Sequence, residues 1–306
     1  MAKRRFFREA LIHCYHNTVN GCLLFYKISD YLVFFTIVCI AARRYNVTVI
    51  KICIMPDHYH ISCICENQEN LAAFIRYVAS VYAQEFNAVC MRKGQLFTKS
   101  FGSAPKKTNK AIRTNLIYVD NNPVERHLSK NAEDYRWNFL AYATSDHPFS
   151  EKINKRTASS DMKNAMQMIA SLNNGGRFLR HPTIYRLFSK LNKTQKESLI
   201  DFIISTYSVI DYQYSIQMFG SYKNNLIADH ATTGSEYEIR EDRNGKRDDV
   251  YAQMTKILLT NGLVSDIHDI ISMKRESKQQ LYNYLYGQTE ATPRQIACFL
   301  HLTAQN

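Results

Sequence analysis

Two spacings of apolar residues divide the chain. In the first half, runs that suit strands alternate with stretches of helical period. Residues 10–16 form a short apolar run that reads as a strand, and 17–27, with its Asn20-Gly21 turn dipeptide, as a connection. Ser29 or Asp30 is placed to cap a helix reaching Arg44, with Asn46 just past its end. Val47–Ile54 and His58–Cys65 are apolar strands joined by the tight turn Pro56-Asp57. Asn67 or Asn70 can open a second helix to about Cys90, where Leu71, Phe74, Ile75, Val78, Tyr82 and Phe86 keep helical spacing. Gly94 closes that connection, and 95–101 offers a fourth strand. Strand, helix, strand, strand, helix, strand predicts an α+β fold. It is a ferredoxin-like (RRM-like) antiparallel sheet with its helices on one face and His58–Cys65 among its central strands.

Past this unit, Thr108 caps a helix that carries Tyr118 in its last turns and runs to Asn121, where Pro123 stops it. The aromatic segment Tyr135, Trp137, Phe139 and Tyr142 should pack back on the sheet. Polar residues dominate from about 145 to 160, and the boundary is drawn there: 1–148 as one domain, 149–306 as a second, mostly α-helical one. In the second half, Thr194-Gln195-Lys196-Glu197 reads as a capping box and 234–249 as a charged loop or linker. Helices are expected over 250–259, 265–273 and 277–286, with a last one opened by Thr292-Pro293. Their short connections suit either a helix-turn-helix DNA-binding module or a plain bundle.

Composition sharpens the picture in three ways. The net charge is +12, and residues 1–150 hold 19 Lys+Arg against 11 Asp+Glu, a lasting attraction for polyanions. Arg92, Lys93, Lys99, Lys106, Lys107, Lys110 and Arg113 follow one another without an intervening acid and lead into the Tyr118 helix, which points to nucleic acid. The eight cysteines include no Cys-x-x-Cys pair and sit mostly in apolar runs, as reduced thiols of a cytoplasmic protein do. The longest apolar run, 31–42, falls short of the roughly 20 residues that span a membrane.

Candidate chemistry centres on the hairpin. Residues two apart on a strand share a face, so His58 and His60 project together with Tyr59 turned away. Two neutral imidazoles side by side make part of a site for a first-row divalent ion. Tyr118 and Asn122 are four apart on a helix and can face the sheet together. A free phenol, with a pKa of about 10, is a poor nucleophile at neutral pH, and a divalent ion polarising a phosphate lowers the barrier from the other side. His13 and His16, three apart on the first strand, do not share a face and read as packing residues. The other six histidines lack a partner at ligand spacing.

Three stretches occur in order: Met55-Pro56-Asp57-His58-Tyr59-His60, Tyr118-Val119-Asp120-Asn121-Asn122-Pro123-Val124, and Asp134-Tyr135-Arg136-Trp137. Together they resemble the HUH single-tyrosine transposases, most closely the REP-associated tyrosine transposases, over about residues 10–142. The family's typical motifs are Met-Pro-Asn-His-Tyr-His, Tyr-x-x-x-Asn-Pro-Val and Asp-Tyr-x-Trp. Asp57 stands in place of the usual Asn, and Asp120 where the family often has His. The resemblance implies His58 and His60 as metal ligands, Asn122 as a third, and Tyr118 as the nucleophile. It implies a covalent 5′-phosphotyrosine intermediate on single-stranded or hairpin-forming DNA. The ion would be Mg²⁺ or Mn²⁺, imidazole favouring Mn²⁺ and abundance Mg²⁺. No membrane partner is expected, and the protein would act as a monomer or homodimer. The alternatives are a transposase-derived DNA-binding protein that no longer cuts, or an HUH relaxase or replication initiator.

Overall fold

The computed structural model describes residues 6–232 and 247–302, so 234–246 of the charged stretch expected as a loop lie outside the described residues. Strands β1 (Leu11–Asn17), β2 (Val47–Ile54), β3 (His58–Cys65) and β4 (Gly102–Lys106) form one antiparallel sheet in the order β2-β3-β1-β4. With helices α1 (Ile28–Arg44) and α2 (Gln68–Val89) between them, this is the ferredoxin-like arrangement, with β3 central. Asn67 caps α2, its side chain accepting from the Asn70 N–H at 2.8 Å. On α1 the cap is Lys27, and Asp30 reaches back to the N–H groups of Tyr26 and Lys27.

The fourth strand is not 95–101. It falls on Gly102–Lys106, pairing only with β1, and an edge position tolerates the missing N–H of Pro105. Residues 96–98 instead clip the end of β1, with Val19 N–H to the Leu96 carbonyl at 2.9 Å and Thr98 N–H to Asn17 at 3.0 Å. Gly102 sits where the Tyr15 ring lies flat across the edge, and a Cβ there would overlap that ring.

Both faces of the sheet are covered. Helices α1 and α2 close one over an apolar core that includes Phe34, Tyr59, Ile61, Phe74 and Tyr82. Helix α3 (Asn109–Glu125), capped by Thr108, closes the other, so the helices are not confined to one face. Ile112 and Leu116 of α3 rest on Leu11 and Ile50. A β-bulge between Val49 and Lys51 makes this possible, because Ile50 and Lys51 in succession both turn toward α3. Pro123 lies inside α3 and does not stop it. Only its own N–H bond is lost, one turn from the end, and the helix closes with Arg126 N–H on Asn122.

The rest is helical: α4 (Ser160–Asn174), α5 (His181–Ser189), α6 (Lys193–Tyr207), α7 (Tyr212–Phe219), α8 (Tyr222–Ala231), α9 (Asp249–Thr260), α10 (Asp269–Ser272), α11 (Arg275–Tyr286) and α12 (Pro293–Phe299). The capping box of α6 is Asn192 with Gln195, two residues before the expected start. Helices α5 and α6 pack on α1, and α7 and α8 pack on α3. Residues from both sides of 148 thus share one apolar cluster. The aromatic segment docks on α1, with Trp137 stacked on Tyr31 (4.5 Å) and Phe139 on Phe35 (4.4 Å), and touches the sheet where the Tyr135 hydroxyl donates to the Ile54 carbonyl. Buried Asp30 receives His181 from the start of α5 and His268 from just before α10, each at 3.0 Å. Among the described residues, no helix is long and apolar enough to cross a membrane.

Candidate active site

The turn between β2 and β3 is held from two sides. Met55 N–H donates to the His58 carbonyl at 2.9 Å, and the Pro56 carbonyl accepts from Leu24 and Phe25 at 2.8 and 3.1 Å. Beyond it His58 and His60 face α3, 5% and 0% exposed, with their Nε2 atoms 3.0 Å apart. Their ring planes cross at 89°. Tyr118, 1% exposed, comes down from α3 with its ring edge-on to His60, centroids 5.4 Å apart. Cys53, Met55 and Val119 surround it.

Each histidine is steered through its other nitrogen. Asp57 Oδ1 lies 2.6 Å from His58 Nδ1. Burial alone would raise the Asp57 carboxyl, but His58 and Arg126 outweigh it and hold it down to about 2. At this distance the Asp57 carboxylate can accept the Nδ1 proton, and the Nε2 of a neutral His58 then faces His60 Nε2 as an acceptor. On the other side, His60 Nδ1 is 3.2 Å from His13 Nε2, and His13 Nδ1 is 2.9 Å from the Asn115 amide, itself 2.8 Å from Ser62 Oγ. Proton positions along such a chain follow from its ends. If His60 Nε2 is to offer a lone pair, its Nδ1–H must donate to His13 Nε2. As placed, the Ser62 hydroxyl donates to Asn115 Oδ1 and Asn115 Nδ2 faces His13 Nδ1, so offering that lone pair requires the Asn115 amide to turn over, its oxygen accepting from His13 Nδ1 and its nitrogen donating to Ser62 Oγ.

His13 was missed because its place depends on register. Tyr15 stands opposite His60 on β1, so His13 is the diagonal neighbour on the same face, which spacing within β1 cannot reveal. His16 is turned to the other face, stacked on Phe97 at 4.9 Å with Nε2 on the Thr98 carbonyl.

The donor set fits a divalent ion. Two nitrogens 3.0 Å apart suit adjacent positions on one ion with bonds of about 2.1 Å, and the Asp57 carboxylate on His58 Nδ1 is of the kind that fixes a ligating tautomer. Asn122 lies one turn beyond Tyr118, its Nδ2 donating to the Tyr118 carbonyl at 2.8 Å. Among the described residues, no group of three or more His, Cys, Asp or Glu forms a ligand cluster.

Asp120 belongs to a different cluster. It is fully buried in an ion pair with Lys51, and Asn225 and Asp229 of α8 complete the cluster, with Asn121 donating to the Asp229 carbonyl at 2.8 Å. Burial, with the charge of Asp120 beside it, pushes the Asp229 carboxyl up to about 9. Between about pH 4, where a free carboxyl ionises, and pH 9, the folded chain therefore binds the extra proton, and stability falls as pH rises. Asp229→Asn should flatten that decline, read as thermal midpoints from pH 5 to 9. A slope equal to wild type would remove Asp229 as its source.

The basic segment is not uniform. Lys93, Lys99, Lys107, Lys110 and Arg113 are exposed, whereas Lys106 is 9% exposed on β4. Arg92 is spent on its own loop, bonding Asn87 Oδ1 and the carbonyls of Gly94 and Gln95.

Residues 25–122 match the family model described as "Transposase IS200 like". A solved structure of a "REP associates tyrosine transposase bound to a REP hairpin" superposes with a TM-score of 0.41 at 14% identity, covering 52% of this chain and 94% of that one. No curated protein matches.

Proposed function

We propose, for a chain whose residues 25–122 match the IS200-like transposase family model, that Tyr118 cuts one DNA strand and holds its 5′ end as a phosphotyrosine. The observation that carries this is the phenol of Tyr118 edge-on to His60, beside two imidazole nitrogens 3.0 Å apart. The Tyr118 oxygen forms the new bond to phosphorus, the 3′ oxygen leaves, and the phosphodiester's energy is kept for rejoining. His58 and His60, with Asn122 as the third donor, would hold Mg²⁺ or Mn²⁺, which when bound neutralises charge on the scissile phosphate. Asp57 and His13 meet the second nitrogens of the two imidazoles, and α3 holds the Tyr118 ring against His60. Labelled hairpin-bearing single-stranded DNA should yield a denaturation-resistant adduct of this protein. Cut DNA without an adduct would mean hydrolysis and end the proposal.

Two further outcomes bear on the same site. His13→Gln should weaken metal affinity by about 10–100-fold, as losses of such supporting partners do, while leaving the fold intact. Calorimetric titration with Mn²⁺ reads it, and unchanged affinity would leave His13 a packing residue. For the DNA surface, Lys107→Glu with Lys110→Glu should lower the dependence of log K on log salt by about 0.7 per contact on single-stranded DNA. Lys106→Glu, at a buried position, should lower the melting temperature instead.

A further inference from the structure

Between α2 and residues 95–101 lies a cavity of about 350 Å³ that the proposed cleavage chemistry does not use. Its helix wall is small, with Ala79 and Ala83 lining it, and its other wall is aromatic, with Phe97 and Phe101. Arg76 and Lys99 are exposed cations among its lining residues, which include no acid. A cleft with the half-buried Phe101 ring, small side chains and cations at hand matches a nucleotide: base against Phe101, phosphate against the charges. Its position gives it a substrate. Asn17 is bonded by Thr98 on one side and pairs with His58 on the other, so this cavity and the metal-binding end of β3 are two strand spacings apart, about 10 Å. It opens on the face of the sheet opposite Tyr118, so a strand rounding that end of the sheet passes both.

On the proposed function as premise, we infer that this cavity takes one unstacked base of the DNA strand being cut, near the scissile phosphate. It anchors the strand and contributes to which sequence is held at Tyr118. Ala79→Leu fills the slot from the helix side, and Ser80→Phe does so from an exposed position, should the first variant fold poorly. Binding of single-stranded dT20 is measured by anisotropy over a range of salt. Either filled variant should bind about tenfold more weakly, the loss of one base–aromatic stack, with the salt slope unchanged. Lys99→Ala should instead lower the slope by about 0.7. A dT20 carrying 5-iodouracil should crosslink on irradiation to the peptide containing Phe97 and Phe101, and the filled variants should lose that crosslink. Folded variants that keep wild-type affinity and crosslinks would overturn the inference while leaving the cleavage proposal standing. Failure of the wild-type protein to bind dT20 would likewise overturn the inference, while the cleavage proposal falls only if hairpin-bearing DNA gives no adduct.

Discussion

Tyr118→Phe is expected to abolish the covalent protein–DNA adduct and to lower cleavage by at least about 10⁴-fold, the scale of loss when a nucleophile is removed. The ring stays, so its contacts with His60, Cys53, Met55 and Val119 stay too, and DNA affinity and melting temperature should barely move. Labelled oligonucleotide run with the protein on a denaturing gel, followed by peptide mapping, reads the outcome. An adduct mapping to another of the twenty tyrosines would move the nucleophile elsewhere. Cleavage persisting in the variant would make the enzyme a hydrolase.

The second large effect belongs to the imidazole pair. Replacing His58 and His60 together by Ala should eliminate metal-dependent cleavage and reduce Mn²⁺ binding below detection in calorimetry. Two cavities open beside buried Cys53 and Met55, so a modest loss of stability is expected as well. The variant should still bind DNA, because the exposed lysines are left in place. Full cleavage by the double variant in a chelator would remove the site from the mechanism.

Much of the fold is legible in the sequence. The β2–β3 hairpin announced itself through two apolar runs flanking Pro56-Asp57, and α2 and α3 through Asn67 and Thr108 at their caps. Local chemistry sets those features. The fourth strand was misplaced because 95–101 is apolar enough to be a strand, whereas Gly102–Lys106 contains Pro and Gly and owes its pairing to an edge beside β1. Pro123 misled for a related reason: its cost falls on one hydrogen bond near a helix end, which tertiary packing outweighs. His13 and the partners of Lys51 arrive from strands and helices far along the chain. No periodicity within β1 or β2 encodes them.

The carboxylate of Asp30 bears on how this chain can have been assembled. Thirteen of the seventeen residues of α1 are buried. Asp30 is among them, and although burial favours its neutral form, His268 and His181 keep it strongly ionised. Both histidines lie far beyond the segment that matches the transposase family. A catalytic unit inherited as a free-standing module would present a wettable helix on this side. Here α1 has instead become committed to its downstream helices, and separating the two by deletion or exchange would strand a charge in an apolar wall. The segment around α1 and the helices that supply His181 and His268 are therefore expected to tolerate exchange only together.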